Sequence, residues 1–235
     1  MNIDKKYYQE INGNLTNTIQ DTNIDAPNKK VGKVRDAYFL DDKVVMISTD
    51  RQSAFDRVLA AIPYKGAVLN SVSAWWFKKT EHLFPNHLIS TPDPNVSIVE
   101  KCTVFPVEFV VRGYITGTTD TSLWTVYNSG DREYCGNILP EGLKKNDKLD
   151  TPMLTPTTKD KVHDRPVSRE EIIDLGLMSA EDYDIAAKMS LDLFAFGQET
   201  AKKNGLILVD TKYEIGTDSS GKIKFVDEIH TPDSS

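Results

Sequence analysis

Cysteine is nearly absent. Cys102 and Cys135 are the only two in 235 residues, with no CxxC spacing and no clustered Cys/His pattern. That argues against a structural zinc site. Long apolar runs are missing too. No stretch approaches the ~18 residues of a membrane span, and the polar segment from Met1 to Gln20 has no apolar core of the signal-peptide kind. The cytoplasm is the expected compartment, and a membrane is not an expected partner. No run of lysines or arginines stands out, and the formal charge is −7. This argues against nucleic acid as the main partner. Small anionic substrates stay open, because an acidic protein can still hold a local basic pocket. Neither the P-loop pattern nor GxGxxG occurs. No serine, cysteine or histidine has the context of a catalytic triad.

What is present is a set of charges at the end of an apolar run, Leu206-Ile207-Leu208-Val209-Asp210-Thr211-Lys212-Tyr213-Glu214. In a strand, residues two apart share a face, so Asp210, Lys212 and Glu214 would lie together where a buried strand emerges. The turn cluster Asp218-Ser219-Ser220-Gly221 and the alternating Lys222-Ile223-Lys224-Phe225-Val226 predict a hairpin. A turn centred between Ser219 and Ser220 places Asp227 opposite Lys212. One centred on Ser219 places Glu228 opposite Asp210. In either register a further carboxylate joins the cluster, which then calls for a cation. A magnesium–nucleotide site fits this set, as does a plain ion-pair ladder.

The remaining organisation is α+β. Asp4 to Asn28 reads as a short helix and a loose polar arm. Lys33–Phe39 and Val44–Ile47 form a hairpin, and Val68, Leu69, Val72, Trp75 and Trp76 recur at helical spacing, with both tryptophans expected in the core. Val96–Thr103 and Val107–Tyr114 read as strands separated by Pro106. Thr118 or Thr119 would cap a helix through Tyr127, and residues 131–167 read as irregular. Ser168-Arg169-Glu170-Glu171 fits a capping box. A long buried helix runs from Ser179 to Asn204-Gly205.

Several further groups carry chemistry. Gly32-Lys33-Val34-Arg35-Asp36 puts two cations beside a glycine, where backbone N–H groups can approach a phosphate; a solvated hairpin edge reads equally well. Asp50 to Asp56, with Ser53, is a polar loop after a buried strand, suited to function or to turn chemistry through Ser53 or Asp56. Glu108 and Arg112 share a strand face. Arg112 precedes Gly113-Tyr114-Ile115-Thr116-Gly117-Thr118, a turn suited to phosphate. Thr155-Pro156-Thr157-Thr158-Lys159 and His163-Asp164-Arg165 lie in the irregular stretch. Without the other kinase signatures, His163 reads as a surface or capping histidine.

Five of these segments, ending with Asp227-Glu228-Ile229-His230-Thr231-Pro232-Asp233-Ser234, follow one another as they do in one family. From about Lys30 onward the chain resembles the SAICAR synthetases of de novo purine biosynthesis. The resemblance implies an α+β fold with a small β-rich lobe, a larger lobe and an ATP cleft between them. It divides the chain into a polar arm at 1–29, an ATP lobe at 30–106 and an α+β lobe at 107–235. It implies an ATP- and Mg2+-dependent ligase acting on carboxyaminoimidazole ribotide (CAIR) and L-aspartate through an acyl phosphate. Positioning and charge neutralisation would then dominate over a protein nucleophile. By position in the motifs, Gly32, Lys33 and Arg35 would contact ATP phosphates, with Lys101 and Glu108 near the nucleotide. Lys212 would bridge phosphates, and Glu214 and Asp227 would hold the metal, with Asp210 nearby. Arg112 and Thr118, where the family often has serine, would bind the ribotide phosphate. Lys159 would approach the γ-phosphate or the substrate, and Ser53 and Asp56 would line the CAIR or aspartate pocket. The family continues beyond Ser235 with an arginine for the ribotide and further helices, so a truncated chain that keeps ATP binding better than turnover is expected. A nucleotide-binding protein without turnover and a small-molecule kinase are the rival readings.

Overall fold

Alternation in the first third of the chain becomes the pleat of an antiparallel sheet. The computed structural model describes residues 5–54, 57–159 and 164–235. After helix α1 (Lys5–Gly13) come β1 (Lys29–Val31), β2 (Arg35–Phe39), β3 (Lys43–Ser48), the hairpin β4 (Arg51–Ala54) and β5 (Arg57–Ala61), helix α2 (Lys65–Thr80), β6 (Leu88–Asp93) and β7 (Val96–Glu100). The main sheet has the order β1-β2-β3-β7-β6. Tyr38, Val44, Ile47 and Val99 supply its core. On α2 the buried positions are Gly66, Leu69, Asn70, Ser73, Phe77 and Thr80, one helical stripe. The tryptophans lie off that stripe. Trp75 is 51% exposed, contrary to the expected core position.

The arm before Asn28 is not loose. Ile19 N–H donates to Asp50 Oδ2 at 2.8 Å, and the Thr22 hydroxyl donates to Asp36 Oδ2 at 2.7 Å. Asp50 Oδ1 also accepts from Gly66 N–H in the first turn of α2 at 3.0 Å. Asp50 thus does turn and cap chemistry in this segment. Carboxylate at a helix N-terminus is favourable for its unpaired N–H groups and for the dipole.

The chain forms two units, residues 1–78 with 87–101 and residues 79–86 with 102–235. The second contains β8 (Thr103–Tyr114), α3 (Leu123–Asn128), β9 (Glu133–Tyr134), β10 (Asn137–Ile138), β11 (Lys148–Leu154), β12 (Thr157–Thr158), α4 (Arg169–Asp174), α5 (Ala180–Lys203), β13 (Asp210–Thr217) and β14 (Ile223–Val226). Its sheet runs β11-β8-β13-β14, with β12 also pairing β8. The capping box of α4 is present, and Ser179 caps α5, which ends with Gly205 at φ +71°.

Four expectations fail here, each for a local reason. Pro106 lies inside β8, not between strands. It is tolerated because the β8–β13 register shifts between Glu214 and Gly216, and a bulge needs no ladder donor from proline. The described residues of 131–167 hold four strands, hidden because β9, β10 and β12 are only two residues long and β11 lies at the edge of its sheet. The cap position of α3 is Ser122, not Thr118 or Thr119. Leu206 and Ile207 precede β13 and are exposed, so the apolar run is not a buried strand.

Candidate active site

Pairing of β8 with β13 builds a charge cluster from two strand faces. Glu214 stands opposite Glu108, Lys212 opposite Val110 and Asp210 opposite Arg112. The other face of both strands is core: Val107, Phe109, Val111, Thr211, Tyr213 and Ile215 are buried. Burial of these alternate residues forces the charged set onto the opposite side. Two carboxylates directly opposed would repel. Lys212 Nζ sits between them, 2.7 Å from Glu108 Oε1 and 3.1 Å from Glu214 Oε1. Lys159 Nζ pairs with the second oxygen of Glu214. Burial pushes the Lys212 amine down, but Glu214, Glu108 and Asp227 outweigh it and hold the amine above the ordinary lysine range. Burial pushes the Glu214 carboxyl up, and Lys212 with Lys159 outweighs that and holds it below the usual carboxylate range. The cluster thus presents fixed ammonium and carboxylate charges near neutral pH.

Neither expected hairpin register is found. Glu214 pairs with Val226 and Thr217 with Ile223, which centres the turn on Ser220. Asp227 follows the end of β14 at φ +63° and is not cross-strand to Lys212. Its charge adds, after those of Glu214 and Glu108, to the upward pull on the Lys212 amine. The chain end closes on the same strand, with Lys212 N–H donating to the Ser234 carbonyl at 2.9 Å.

Arg112 lies one ladder step along. Its Nε donates to Thr155 Oγ1 at 2.9 Å, and its Nη1 is 4.0 Å from Asp210 Oδ2. Asp210 is therefore the partner of Arg112. The Thr157 hydroxyl donates to Glu108 Oε2 at 3.3 Å. Thr155 and Thr157 are functional positions that sequence reasoning misses. Their signal was the spacing Thr155, Thr157, Lys159, which is period two along an edge segment. Thr118 is exposed in the loop before α3, and among the described residues no hydrogen bond joins it to Arg112.

In the first unit, Gly32 and Lys33 form an exposed turn ahead of β2, so Lys33 and Arg35 do not share a strand as expected. Gly32 N–H donates to the Arg35 carbonyl at 2.8 Å. A Cβ on Gly32 would stand 2.7 Å from that oxygen, so glycine is required by close approach. Ser53 is half-buried on β4, and Lys101 Nζ reaches the Asp41 carbonyl at 3.4 Å. Asp56 and His163 lie outside the described residues.

Among the described residues no group of three or more His, Cys, Asp or Glu side chains is gathered as a metal cage. Glu108, Glu214 and the nearby Asp227 are hard oxygen donors. This sparse set fits Mg2+, which takes one or two carboxylates and completes its shell with water and phosphate oxygens. No helix of the described residues is long and apolar enough to cross a membrane.

Comparison with known proteins adds a family. The SAICAR synthetase family model matches residues 28–235. The phosphoribosylaminoimidazole-succinocarboxamide synthase of Legionella pneumophila (strain Lens) is 59% identical over 217 residues, covering 92% of this chain and 70% of that protein. The chloroplastic synthase of Arabidopsis thaliana is 58% identical over 230 residues, covering 96% of this chain and 56% of its own length. Among solved structures, SAICAR synthase from Saccharomyces cerevisiae complexed with SAICAR superimposes with a TM-score of 0.81 at 32% identity, over 92% of this chain and 78% of that one. A Type-2 SAICAR synthetase in complex with ADP gives 0.72 at 28% identity, over 86% and 80%.

Proposed function

The chain belongs to the SAICAR synthetase family, and we propose that it is the ATP-dependent ligase joining L-aspartate to the carboxylate of CAIR in de novo purine biosynthesis. The CAIR carboxylate attacks the γ-phosphorus of ATP, ADP leaves, and an acyl phosphate forms. The aspartate amine then attacks the acyl carbon. Phosphate departs with the C–O bonding electrons, the amine loses a proton, and the amide of SAICAR remains. The observation that carries this reading is 59% identity, across 92% of the chain, to a protein named for this product. The ADP complex of a relative supports nucleotide binding.

The geometry suits the chemistry because phosphoryl transfer needs placed charges more than a nucleophile. Lys212, held charged between Glu108 and Glu214, neutralises the phosphoryl oxygens as the acyl phosphate forms. Lys159 approaches the same group from β12. Lys33 and Arg35, beside Gly32, contact the other ATP phosphates, with Lys101 near the nucleotide. Arg112 and Thr118 hold the ribotide phosphate, and Ser53 with Asp56 lines the CAIR or aspartate pocket. Glu214 and Asp227 would hold Mg2+, with Asp210 and Glu108 beside them; the ion would supply charge neutralisation for the phosphates.

The test is ADP and succinocarboxamide formation by the whole chain with ATP, Mg2+, CAIR and L-aspartate. ADP release that needs both co-substrates is expected. ADP with a phosphorylated acceptor and no need for aspartate would make the protein a kinase instead. Titrating the metal with a chelator should abolish turnover and restore it on Mg2+ addition. For compartment we propose the cytoplasm; the Arabidopsis relative is chloroplastic by name, so imaging of the tagged chain decides.

A further inference from the structure

The first unit contains a buried ion pair that the reaction above does not use. Asp36 on β2 is fully buried, and Arg51 at the start of β4 is 8% exposed. Arg51 Nη2 lies 2.7 Å from Asp36 Oδ1. Asp36 Oδ2 accepts from Thr22 at 2.7 Å and pairs with Lys29 at 3.1 Å. Burying such a pair is weak evidence for stability, since desolvation offsets much of the attraction. The question is what the guanidinium holds in place.

It holds the glycine turn. Arg51 Nη2 also donates to the Gly32 carbonyl at 3.0 Å, and Arg51 Nε donates to the Lys33 carbonyl at 3.1 Å. The next carbonyl, Val34, accepts from Thr49 N–H at 2.9 Å and from the Thr49 hydroxyl at 2.8 Å. Arg51 Nη1 binds the Gln20 carbonyl at 2.6 Å, tying in the preceding segment. Three consecutive carbonyls, Gly32 to Val34, are thus drawn toward one side by two residues of one short segment. A turn whose acceptors are held back this way leaves its cations, rather than its carbonyls, to face a ligand, which is the polarity a phosphate needs. Only arginine has the planar fork to bridge a carboxylate and several carbonyls at once.

We infer that Arg51 is a positioning residue for nucleotide: through its carbonyl bonds it fixes the Gly32–Val34 backbone so that Lys33 meets the phosphates in a preset geometry, while Asp36 balances its charge. This rests on the reading that the glycine turn binds ATP phosphates. Breaking the ion pair and releasing the carbonyls are separable. D36N removes the pair but leaves all three carbonyl bonds of Arg51. R51K keeps a cation beside Asp36 but cannot span the carbonyls. R51Q removes both.

The test measures ADP affinity by calorimetry, KM for each substrate and the melting temperature, on the whole chain carrying D36N, R51K, R51Q or K33A. R51K and R51Q should weaken ADP and raise KM for ATP by about tenfold, the equivalent of roughly 1.4 kcal/mol, with KM for CAIR and aspartate unchanged. D36N should lower the melting temperature yet leave ADP affinity within about twofold. If R51Q fails to fold, R51K against D36N still decides. Weakened ADP in K33A together with normal ADP in R51K overturns the role of Arg51 alone. Normal ADP in K33A overturns the phosphate turn, and this inference with it. Equal loss of affinity in D36N and R51K would make Arg51 merely structural and also overturn it.

Discussion

At the scale of single residues, the charge cluster works by holding one amine between opposed acids. Lys212→Ala should lower kcat by roughly two to four orders of magnitude, because a charge aimed at the transferred phosphoryl group is lost. The fold should survive, since Lys159 still pairs with Glu214; stopped-time ADP assays with a urea titration alongside check both points. Near-normal turnover would remove Lys212 from the chemistry. Thr155 offers a finer test. It is 1% exposed, its N–H is bonded to the Val110 carbonyl, and its hydroxyl accepts from Arg112 Nε. Thr155→Val keeps the shape and removes the hydroxyl, both as acceptor from Arg112 and as donor to the Val110 carbonyl at 3.4 Å, an oxygen that keeps its bond from Thr155 N–H. With the guanidinium no longer oriented, KM for CAIR should rise by about tenfold while kcat stays within about threefold, the signature of lost ground-state binding. A fall in kcat with KM unchanged would place Thr155 in the chemical step instead. These residues were unevenly legible. Lys212 and Glu214 were visible as period-two charges, whereas Glu108 shares its strand face with Arg112 in the sequence and only pairing of β8 with β13 brings it to Lys212. Thr155 was not, because a hydroxyl's role depends on which side chain the fold brings to it.

At the scale of elements, legibility followed burial. The β2–β3 hairpin, the capping box of Ser168 and the C-terminal glycine of α5 were readable, because core burial and helix ends impose strong local patterns; α2 was readable as a helix but not its buried face, since Val68 and Trp75 of the expected stripe are exposed. Edge strands β11 and β12 were not, since an edge has one partner and little apolar demand. The β13–β14 register missed by one position for a similar reason: the turn Asp218 to Gly221 is all turn-forming residues, so nothing local chooses its centre. The choice is made on the other side of β13. There Gly216 passes the backbone of Thr103 and Val104 at the bulge, and a Cβ would stand 2.6 Å from the Thr103 carbonyl oxygen. Gly216→Ala should therefore destabilise the second unit by about 1–3 kcal/mol, the usual cost of overpacking. Gly221→Ala, with open space around its Cβ but φ +83°, should cost about 1 kcal/mol, close to the strain of a left-handed alanine. Equilibrium urea unfolding of both variants orders the two effects. A larger loss in G221A would mean that the turn, rather than the bulge, sets the register.

At the scale of the whole molecule, acid should weaken the second unit below neutral pH, and His230 is the reason. Its ring is buried beside Tyr213, with the hydroxyl 2.5 Å from Nε2, and Gly197 of α5 leaves room for it, since a Cβ there would stand 2.4 Å from Cε1. Burial pushes the imidazole down from 6.5 to about 3 in the folded chain. Between those values the unfolded chain binds a proton that the folded chain does not, so stability falls as pH drops through about 6.5 and levels off below about 3. Over the step from about pH 7.5 to about pH 5 the loss should be about 2 kcal/mol. Asp36, which Arg51, Thr22 and Lys29 hold below its ordinary 3.8 against the upward push of burial, adds nothing in that window. Its contribution is complete above about pH 5 and disappears only as pH falls further. Trp75 and Trp76 belong to the first unit and Trp124 to the second. Replacing both of the former with phenylalanine leaves Trp124 fluorescence as a reporter of the unit that contains His230. In that background the urea midpoint should drop between the two pH values, and His230→Gln should abolish most of the drop while lowering the midpoint at both. A slope that persists in the glutamine variant would assign the acid sensitivity to a carboxylate and leave His230 a packing residue.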